Sequence, residues 1–185
     1  MNFDYPGYKL KFIQTDRCKN GDDHKFTIIY KFFSPITHFH YILRAEYHTG
    51  DFFGVKFYCK KDRGSDFKYN KIINKGDLGN IIVTCIKVIP LLLINFPNAS
   101  FGFMGARSVD FKSLKTEQYF ANQRYRIYSY IAPLKIGDST FHHISYEKVS
   151  SYILINKNFT DLGEKENEIK AMINRCYLDL PDLVV

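Results

Sequence analysis

Eight apolar residues between Leu78 and Phe96 recur at the spacing of one helix face. They are Leu78, Ile81, Ile82, Cys85, Ile89, Leu92, Leu93 and Phe96. Because this stripe follows the i, i+3, i+4, i+7 pattern, it predicts a helix buried along one side, which needs a second layer of structure to cover it. Asp77 is placed to cap the first turn. Pro90 removes the hydrogen bond to the Ile86 carbonyl, so we predict a kink or two abutting helices there.

The covering layer is predicted to be a sheet formed by the N-terminal part of the chain. Segments rich in Phe, Tyr, Ile and Thr alternate there with turn-forming clusters. The segments are Tyr8–Ile13, Lys25–Phe33, His38–Tyr47, Phe52–Lys60 and Phe67–Ile73. Since successive strand residues point to opposite faces, alternation assigns one face to the core. That face comprises Phe26, Ile28, Tyr30, Phe32, Tyr41, Leu43, Ala45, Phe53, Val55, Phe57 and Cys59.

The rest of the chain completes an α+β pattern. The predicted elements are a strand at Ser100–Met104 closed by Gly105, a helix from near Asn122 to Ala132 that stops before Pro133, strands at Phe141–Tyr146 and Ser151–Asn156, an amphipathic helix from Asp161 to Leu178 and an apolar tail from Leu180 to Val185. We therefore predict one α+β domain over residues 1–185. Its twisted antiparallel sheet has about five to seven strands, an apolar helix on one face and a C-terminal helix. Residues 160–185 form the acidic terminal helix and tail.

Arg124 falls on the apolar arc of the helix that begins near Asn122, whereas Arg126 points away. A guanidinium on the apolar side of a first helical turn needs a partner. One interpretation is a structural arginine paired with an acidic side chain or with carbonyls at a sheet end. The other is an anion-binding site in which Arg107, Arg124 and Arg126 are the candidate residues and the first-turn N–H groups contribute.

The positive charge is concentrated in the body of the chain. The net charge is +7, and residues 160–185 hold three Lys or Arg against six Asp or Glu, which leaves +10 on residues 1–159. A basic body favours a partner that carries phosphates. The alternative explanation is an AT-rich coding bias, because such a bias enriches lysine without any functional cause.

The predicted sheet face opposite the core collects basic and aromatic side chains. Single-stranded nucleic acid is bound by such surfaces, with cations at phosphates and rings on bases. The candidate nucleic-acid-binding residues are Lys9, Lys11, Lys31, Arg44, Lys56, Tyr58 and Lys60, and the same face would show His38, His40, His48 and Lys68. The alternative is a solvated face that carries lysine against edge pairing. No carboxylate or cysteine spacing completes a zinc signature around His38 and His40, so no metal or other cofactor is expected.

The cysteines and the apolar windows indicate a cytoplasmic protein. Cys18, Cys59, Cys85 and Cys176 show no paired spacing and are expected to be reduced thiols without a disulfide. Residues 1–11 do not resemble a secretory signal. The most apolar window, Ile81–Ile94, contains a lysine and a proline and is too short to span a bilayer, so no membrane association is expected.

Three short features lie in a recognisable order: Phe96-Pro97 after the apolar helix, Gly105 after a strand, and Arg124-Tyr125-Arg126-Ile127-Tyr128 at the start of a helix. In this order, over roughly residues 25–157, the chain resembles a family of small uncharacterised bacterial proteins. In that family the glycine and the first arginine lie close together, whereas residues 106–123 separate them here. The resemblance implies an α+β fold and a bacterial, cytosolic setting, and it implies no established activity.

Three classes of function stay open from the sequence. The first is a basic protein associated with single-stranded nucleic acid, within a bacterial toxin–antitoxin or phage-defence locus. The second is a protein-interaction or self-assembling module, with a protein partner or a homo-oligomer. The third is an enzyme acting on a phosphate ester through Arg107, Arg124 and a histidine such as His142. The chain carries neither a Gly-x-Ser-x-Gly motif nor a phosphate-binding Gly-rich loop.

Overall fold

A seven-stranded sheet is the centre of the computed structural model, which describes residues 5–18, 23–71, 75–104, 106–110, 115–178 and 183. The strands in chain order are β1 Lys11–Arg17, β2 His24–Ser34, β3 Phe39–His48, β4 Phe52–Cys59, β5 Ser100–Met104, β6 Val109–Asp110, β7 Lys115–Thr116, β8 Phe141–Tyr146 and β9 Ser151–Asn156. Strands β6 and β7 form a separate ribbon, and the others lie in the order β1-β2-β3-β4-β5-β9-β8. The predicted α+β fold with a C-terminal helix is confirmed.

One strand pair is parallel, so the sheet is mixed. Strands β4 and β5 pair in parallel with Phe52 opposite Ser100, and the other pairs of this sheet are antiparallel. Two parallel strands need a connection that carries the chain back to the end of the sheet at which the first strand began. Residues 60–99, which include the apolar helical region, make this return.

The apolar stripe forms two abutting helices, α1 Leu78–Ile86 and α2 Val88–Leu93, as predicted. The break falls at Lys87, because Pro90 cannot donate to the Ile86 carbonyl. Pro90 then lies in the first turn of α2, where a helix has no internal use for its N–H groups. Asp77 stands at the N-cap position of α1, as predicted. Its buried carboxylate makes no cap bond and instead accepts from Tyr8, Ser34 and Asn80.

Helices cover both faces of the sheet, but unequally. The predicted core face is confirmed: it packs against α1, α2 and α3 (Gln123–Ile136) in one buried cluster. On the opposite face, α4 (Leu162–Cys176) buries Ile169, Met172 and Ile173. Their partners come from β4, β5, β8 and β9. Within the described residues, β1, β2 and β3 contribute nothing to that second cluster, although Tyr177, which follows α4, bonds to the buried Glu46 and His48 on β3.

One predicted strand and one predicted helix end are wrong in the structure. No strand forms over residues 67–71, the described part of Phe67–Ile73, where the chain makes turns and Tyr69 packs edge-on against Tyr58 at 5.5 Å between ring centroids. Tertiary packing outweighs the β propensity of this segment. Helix α3 does not stop before Pro133 but continues to Ile136. Proline has no N–H to donate to the Ser129 carbonyl one turn earlier. Because Pro133 is exposed, water can bond to that carbonyl instead.

The limits of the first strand also differ from the prediction. The first strand runs from Lys11 rather than Tyr8. Gly105 and the predicted tail lie outside the described residues, apart from Leu183, which is buried against α4. Among the helices of the described residues, none has the length and apolar character needed to cross a bilayer.

Candidate functional site

The strand register gathers most of the predicted nucleic-acid-binding residues on the second face of the sheet. Lys11 lies opposite Lys31, and Tyr58 follows in the same row across β3. In the next row Arg44 lies opposite Lys56. Because residues opposite each other share a face, the sheet brings these side chains together as alternation predicts. Contacts divide them into two groups with different surroundings.

The first group is the Glu46 cluster, which consists of Arg44, Glu46, His48, Lys56 and Tyr177. Glu46 is only 7% exposed. Its carboxylate contacts Lys56 Nζ at 2.8 Å and Arg44 Nε at 3.5 Å, and accepts the Tyr177 hydroxyl at 2.9 Å. Burial alone would raise the Glu46 pKa, but the charge and hydrogen bond of Lys56, with the Tyr177 bond, hold this pKa below its ordinary value.

A chain of hydrogen bonds runs from Glu46 through Tyr177 to His48. The hydroxyl proton of Tyr177 points to Glu46, so its oxygen accepts from His48 Nε2 at 2.7 Å. His48 is therefore protonated on Nε2, and its buried Nδ1 has no partner among the described residues. Burial and the His24 ring, stacked at 4.9 Å, lower the His48 pKa to about 4. The imidazole is neutral at physiological pH.

Three predicted site residues are held by contacts within the protein: Arg44 and Lys56 in this cluster, and Tyr58 beside it. Arg44 and Lys56 share one carboxylate, which leaves one positive charge in excess. Lys56 Nζ also lies 4.3 Å from the centroid of the Tyr177 ring. Tyr58 is 7% exposed beneath Tyr69, so its ring is not open to a base. Arg44 and Lys56 can still attract a polyanion at a distance.

The second group is the basic strip, which consists of Lys11, Lys31, Phe33, His40 and Lys60. Phe33 lies opposite His40, and their ring centroids are 5.1 Å apart. Phe33 is 44% exposed. His40 is exposed, and partial desolvation together with Lys31 and Lys60 lowers its pKa. The two charges that act on His40 are thus both positive.

The neighbouring chain extends the basic strip. Lys9 is exposed and lies two residues before Lys11. Leu10 between them packs toward the core, so both lysines belong to the open side of the chain. Of the seven residues predicted to bind nucleic acid, Lys11, Lys31 and Lys60 therefore belong to the strip, and Lys9 lies beside it.

The N-terminus of α3 is filled by groups of the protein. The Asn122 side chain accepts from Tyr125 N at 3.0 Å, as a helix cap does. The Glu117 carboxylate accepts from Gln123 N at 2.6 Å and from Ser108 N at 3.2 Å. This carboxylate takes the place that a bound anion would occupy at the helix N-terminus.

The three predicted anion-binding arginines have separate environments. Arg124 is 5% exposed, lies 4.9 Å from the Phe57 ring centroid and donates to the Lys71 carbonyl at 3.2 Å, while burial lowers its pKa. The adjoining cavity of about 20 Å³ has room for one water molecule. Arg107 stacks on Tyr119 at 3.9 Å, and Arg126 is exposed. This geometry favours the structural interpretation of Arg124.

Sequence reasoning missed Phe33, Glu46 and Tyr177. Phe33 lies two residues after Lys31 on β2 and therefore shares its face. The alternation that placed Lys31 on this face could have placed Phe33 there as well. Tyr177 had no such signal, because 131 residues separate it from Glu46. His38, expected on the strand face, lies instead in the turn between β2 and β3 with φ of 59°.

The described residues offer neither a metal site nor a disulfide. Among the described residues, no group of three His, Cys, Asp or Glu side chains is placed to hold a metal ion. The four cysteines are all described and are free thiols. Functional assignment therefore depends on the geometry of the sheet face. The chain matches no protein-family model, and no curated protein or solved structure was found to be similar to it.

Proposed function

We propose that the protein binds single-stranded nucleic acid along the basic strip. The observation that supports this proposal is the exposed Phe33–His40 ring pair set among Lys11, Lys31 and Lys60. Rings of this kind stack on unpaired bases, and the surrounding ammonium groups bind the phosphates that join them. A double helix offers no free base face to such a ring, so the ring pair favours single strands.

The proposal assigns different roles to the residues predicted from sequence. Lys9, Lys11, Lys31 and Lys60 contact phosphates, and Phe33 is the stacking ring in place of Tyr58. Arg44 and Lys56 add to the positive potential while they hold Glu46. The location we propose is the cytoplasm, which is supported by the four free thiols.

The test is oligonucleotide binding by charge-reversal variants, measured by fluorescence anisotropy. Lys60→Glu should weaken binding more than Lys148→Glu, a matched change of an exposed lysine beside the far edge strand β8. Lys165 and Lys170 are unsuitable controls, because both are buried in ion pairs with Glu168 and Glu166. Log affinity should fall with log salt with a slope of about −0.7 for each phosphate neutralised.

The stacking ring has its own test. Phe33→Ala should cost roughly 1–3 kcal/mol of binding free energy, whereas Phe33→Tyr should retain most of the affinity. Phe33 is half exposed, so truncation should leave the fold intact, which a thermal melt checks. Equal losses for Lys60→Glu and Lys148→Glu, or no effect of Phe33→Ala, would assign the binding to nonspecific charge.

A further inference from the structure

Strand β8 forms one edge of the sheet and lacks the usual protection of an edge. It consists of Phe141, His142, His143, Ile144, Ser145 and Tyr146. The strand contains no lysine, no carboxylate and no proline, and its register with β9 is continuous. Natural edge strands normally carry charges, prolines or bulges that prevent pairing with another chain.

The strand at the opposite edge of the sheet, β1, has the protection that β8 lacks. Strand β1 carries Lys11, Asp16 and Arg17, and its register with β2 shifts between Phe12 and Gln14. A bulge and alternating charges oppose the addition of a further strand. One edge of this sheet is therefore closed to pairing, and the other is open.

The hydrogen-bond pattern identifies which atoms of β8 face outward. Lys157 N donates to the Thr140 carbonyl, and this pair stands in the same register as the β8–β9 ladder. Antiparallel pairs alternate between bonded and non-bonded, so residues 142, 144 and 146 bond to β9. The main-chain N–H and C=O groups of Phe141, His143 and Ser145 point away from the sheet. Among the described residues, no main-chain or side-chain group pairs with them.

Helix α3 lies along this edge and exposes apolar side chains. The Tyr125 hydroxyl contacts Ser145 Oγ near the start of the helix, and His143 Nε2 donates to the Gly137 carbonyl at 2.6 Å just beyond its end. Tyr130 and Leu134 lie one turn apart on the exposed side, at 49% and 65% exposure. A helix with large apolar residues on its outer side often borders a partner.

We propose that a second copy of this chain adds to the sheet at β8, with the two β8 strands antiparallel. A two-fold axis at His143 places His143 opposite its counterpart and Phe141 opposite Ser145. The six outward N–H and C=O groups of each strand then find partners, so the edge is complementary to itself. The same axis places the second α3 on the same side of the joined sheet, antiparallel to the first. An uncharged strand also meets its copy without repulsion between like charges.

Light scattering after size-exclusion chromatography tests this interface through Ser145. Ser145→Pro removes one outward N–H, and proline is tolerated at such a position of an edge strand. Ser145→Ala loses the same contact with Tyr125 but keeps the N–H. At micromolar concentration the wild type and Ser145→Ala should show twice the chain mass of 21.7 kDa. Ser145→Pro should show the mass of one chain.

A second pair of variants keeps the test decisive if Ser145→Pro fails to fold. Leu134→Glu should favour the monomer, whereas Ile94→Glu, at the 76% exposed Ile94 beyond α2, should not. In the wild type, amide exchange at Phe141, His143 and Ser145 should slow as the protein concentration rises. A wild type that stays monomeric, a folded Ser145→Pro dimer, or exchange independent of concentration would overturn the proposal.

Discussion

At the scale of single residues, the Tyr177 hydroxyl is the contact that joins the end of α4 to the middle of the sheet. It bonds both Glu46 and His48, which lie on β3. Gly54 on β4 makes this contact possible, because a Cβ there would lie 2.6 Å from the hydroxyl oxygen. Glycine is required at this position by close approach rather than by its backbone angles.

This close approach predicts a strongly non-additive pair of substitutions. Gly54→Ala should displace the Tyr177 ring, leave Glu46 and His48 without their shared partner, and cost roughly 1–3 kcal/mol of unfolding free energy. Tyr177→Phe removes the hydroxyl that a Cβ would meet, since the next ring atom lies at 3.5 Å. In that background Gly54→Ala should therefore cost much less, as urea melts of the double-mutant cycle would show. Additive costs would mean that Gly54 serves another purpose.

The buried imidazole of His48 predicts a stability that depends on pH. Its pKa is lowered to about 4 in the folded chain from an ordinary 6.5, so between these values only the unfolded chain holds the proton. Stability from this group is complete above pH 6.5 and falls as the pH drops, by about 2–3 kcal/mol near pH 4.

The matched variant for this prediction is His48→Gln, which keeps a donor toward Tyr177 but does not titrate. Urea melts at pH 7.5, 6.0 and 5.0 should show a smaller decrease for this variant than for the wild type. The decrease above pH 5 should not come from Asp23, because Arg175 lowers the Asp23 pKa to about 2. Parallel decreases for the two proteins would assign the effect to other groups.

At the scale of secondary structure, periodic patterns were the reliable part of the sequence. The stripe from Leu78 to Phe96 and the alternation along β2, β3 and β4 each specify a buried face, and the structure buries both. The break before Pro90 follows from the chemistry of one residue. These features depend on neighbours a few positions apart, so a single sequence contains them.

Features set by distant contacts could not be found in the same way. Segment 67–71 has strand propensity, yet Tyr69 packs on Tyr58 and the segment forms turns. The parallel pairing of β4 and β5 depends on the path of the residues between them. For the candidate site, alternation placed the lysines on the correct face, but only tertiary contacts show that Glu46 engages Arg44 and Lys56.

The central role of α2 in the core leads to a matched test of two positions on that helix. Ile89→Asp should unfold the protein, because Ile89 is 2% exposed and an unpaired buried charge costs several kcal/mol against a typical stability of about 5–15 kcal/mol. Leu91→Asp, on the same helix at 43% exposure, should change stability little. Circular dichroism melts compare the two. Cooperative unfolding of Ile89→Asp near the wild-type temperature would contradict the assignment of α2 to the core.

Across the sheet as a whole, the two halves of the second face differ in cover and charge. Helix α4 covers the half formed by β4, β5, β8 and β9, and its buried Lys165 and Lys170 are neutralised by neighbouring carboxylates. The other half keeps the basic strip open. Phe33, His40 and Lys60 are exposed there, which is the basis for binding nucleic acid at this strip.

Photocrosslinking of a 4-thiouridine oligonucleotide, followed by mass spectrometry of the digested protein, is the decisive test of binding at the basic strip, because it locates the contact with the base. We expect crosslinks on the segments that carry Phe33 and His40, and we expect them to be lost in Phe33→Ala at a protein concentration that restores binding. Crosslinks on the segment of Arg107, on that of Arg126 in α3, or spread evenly over the exposed lysines would contradict binding at the basic strip.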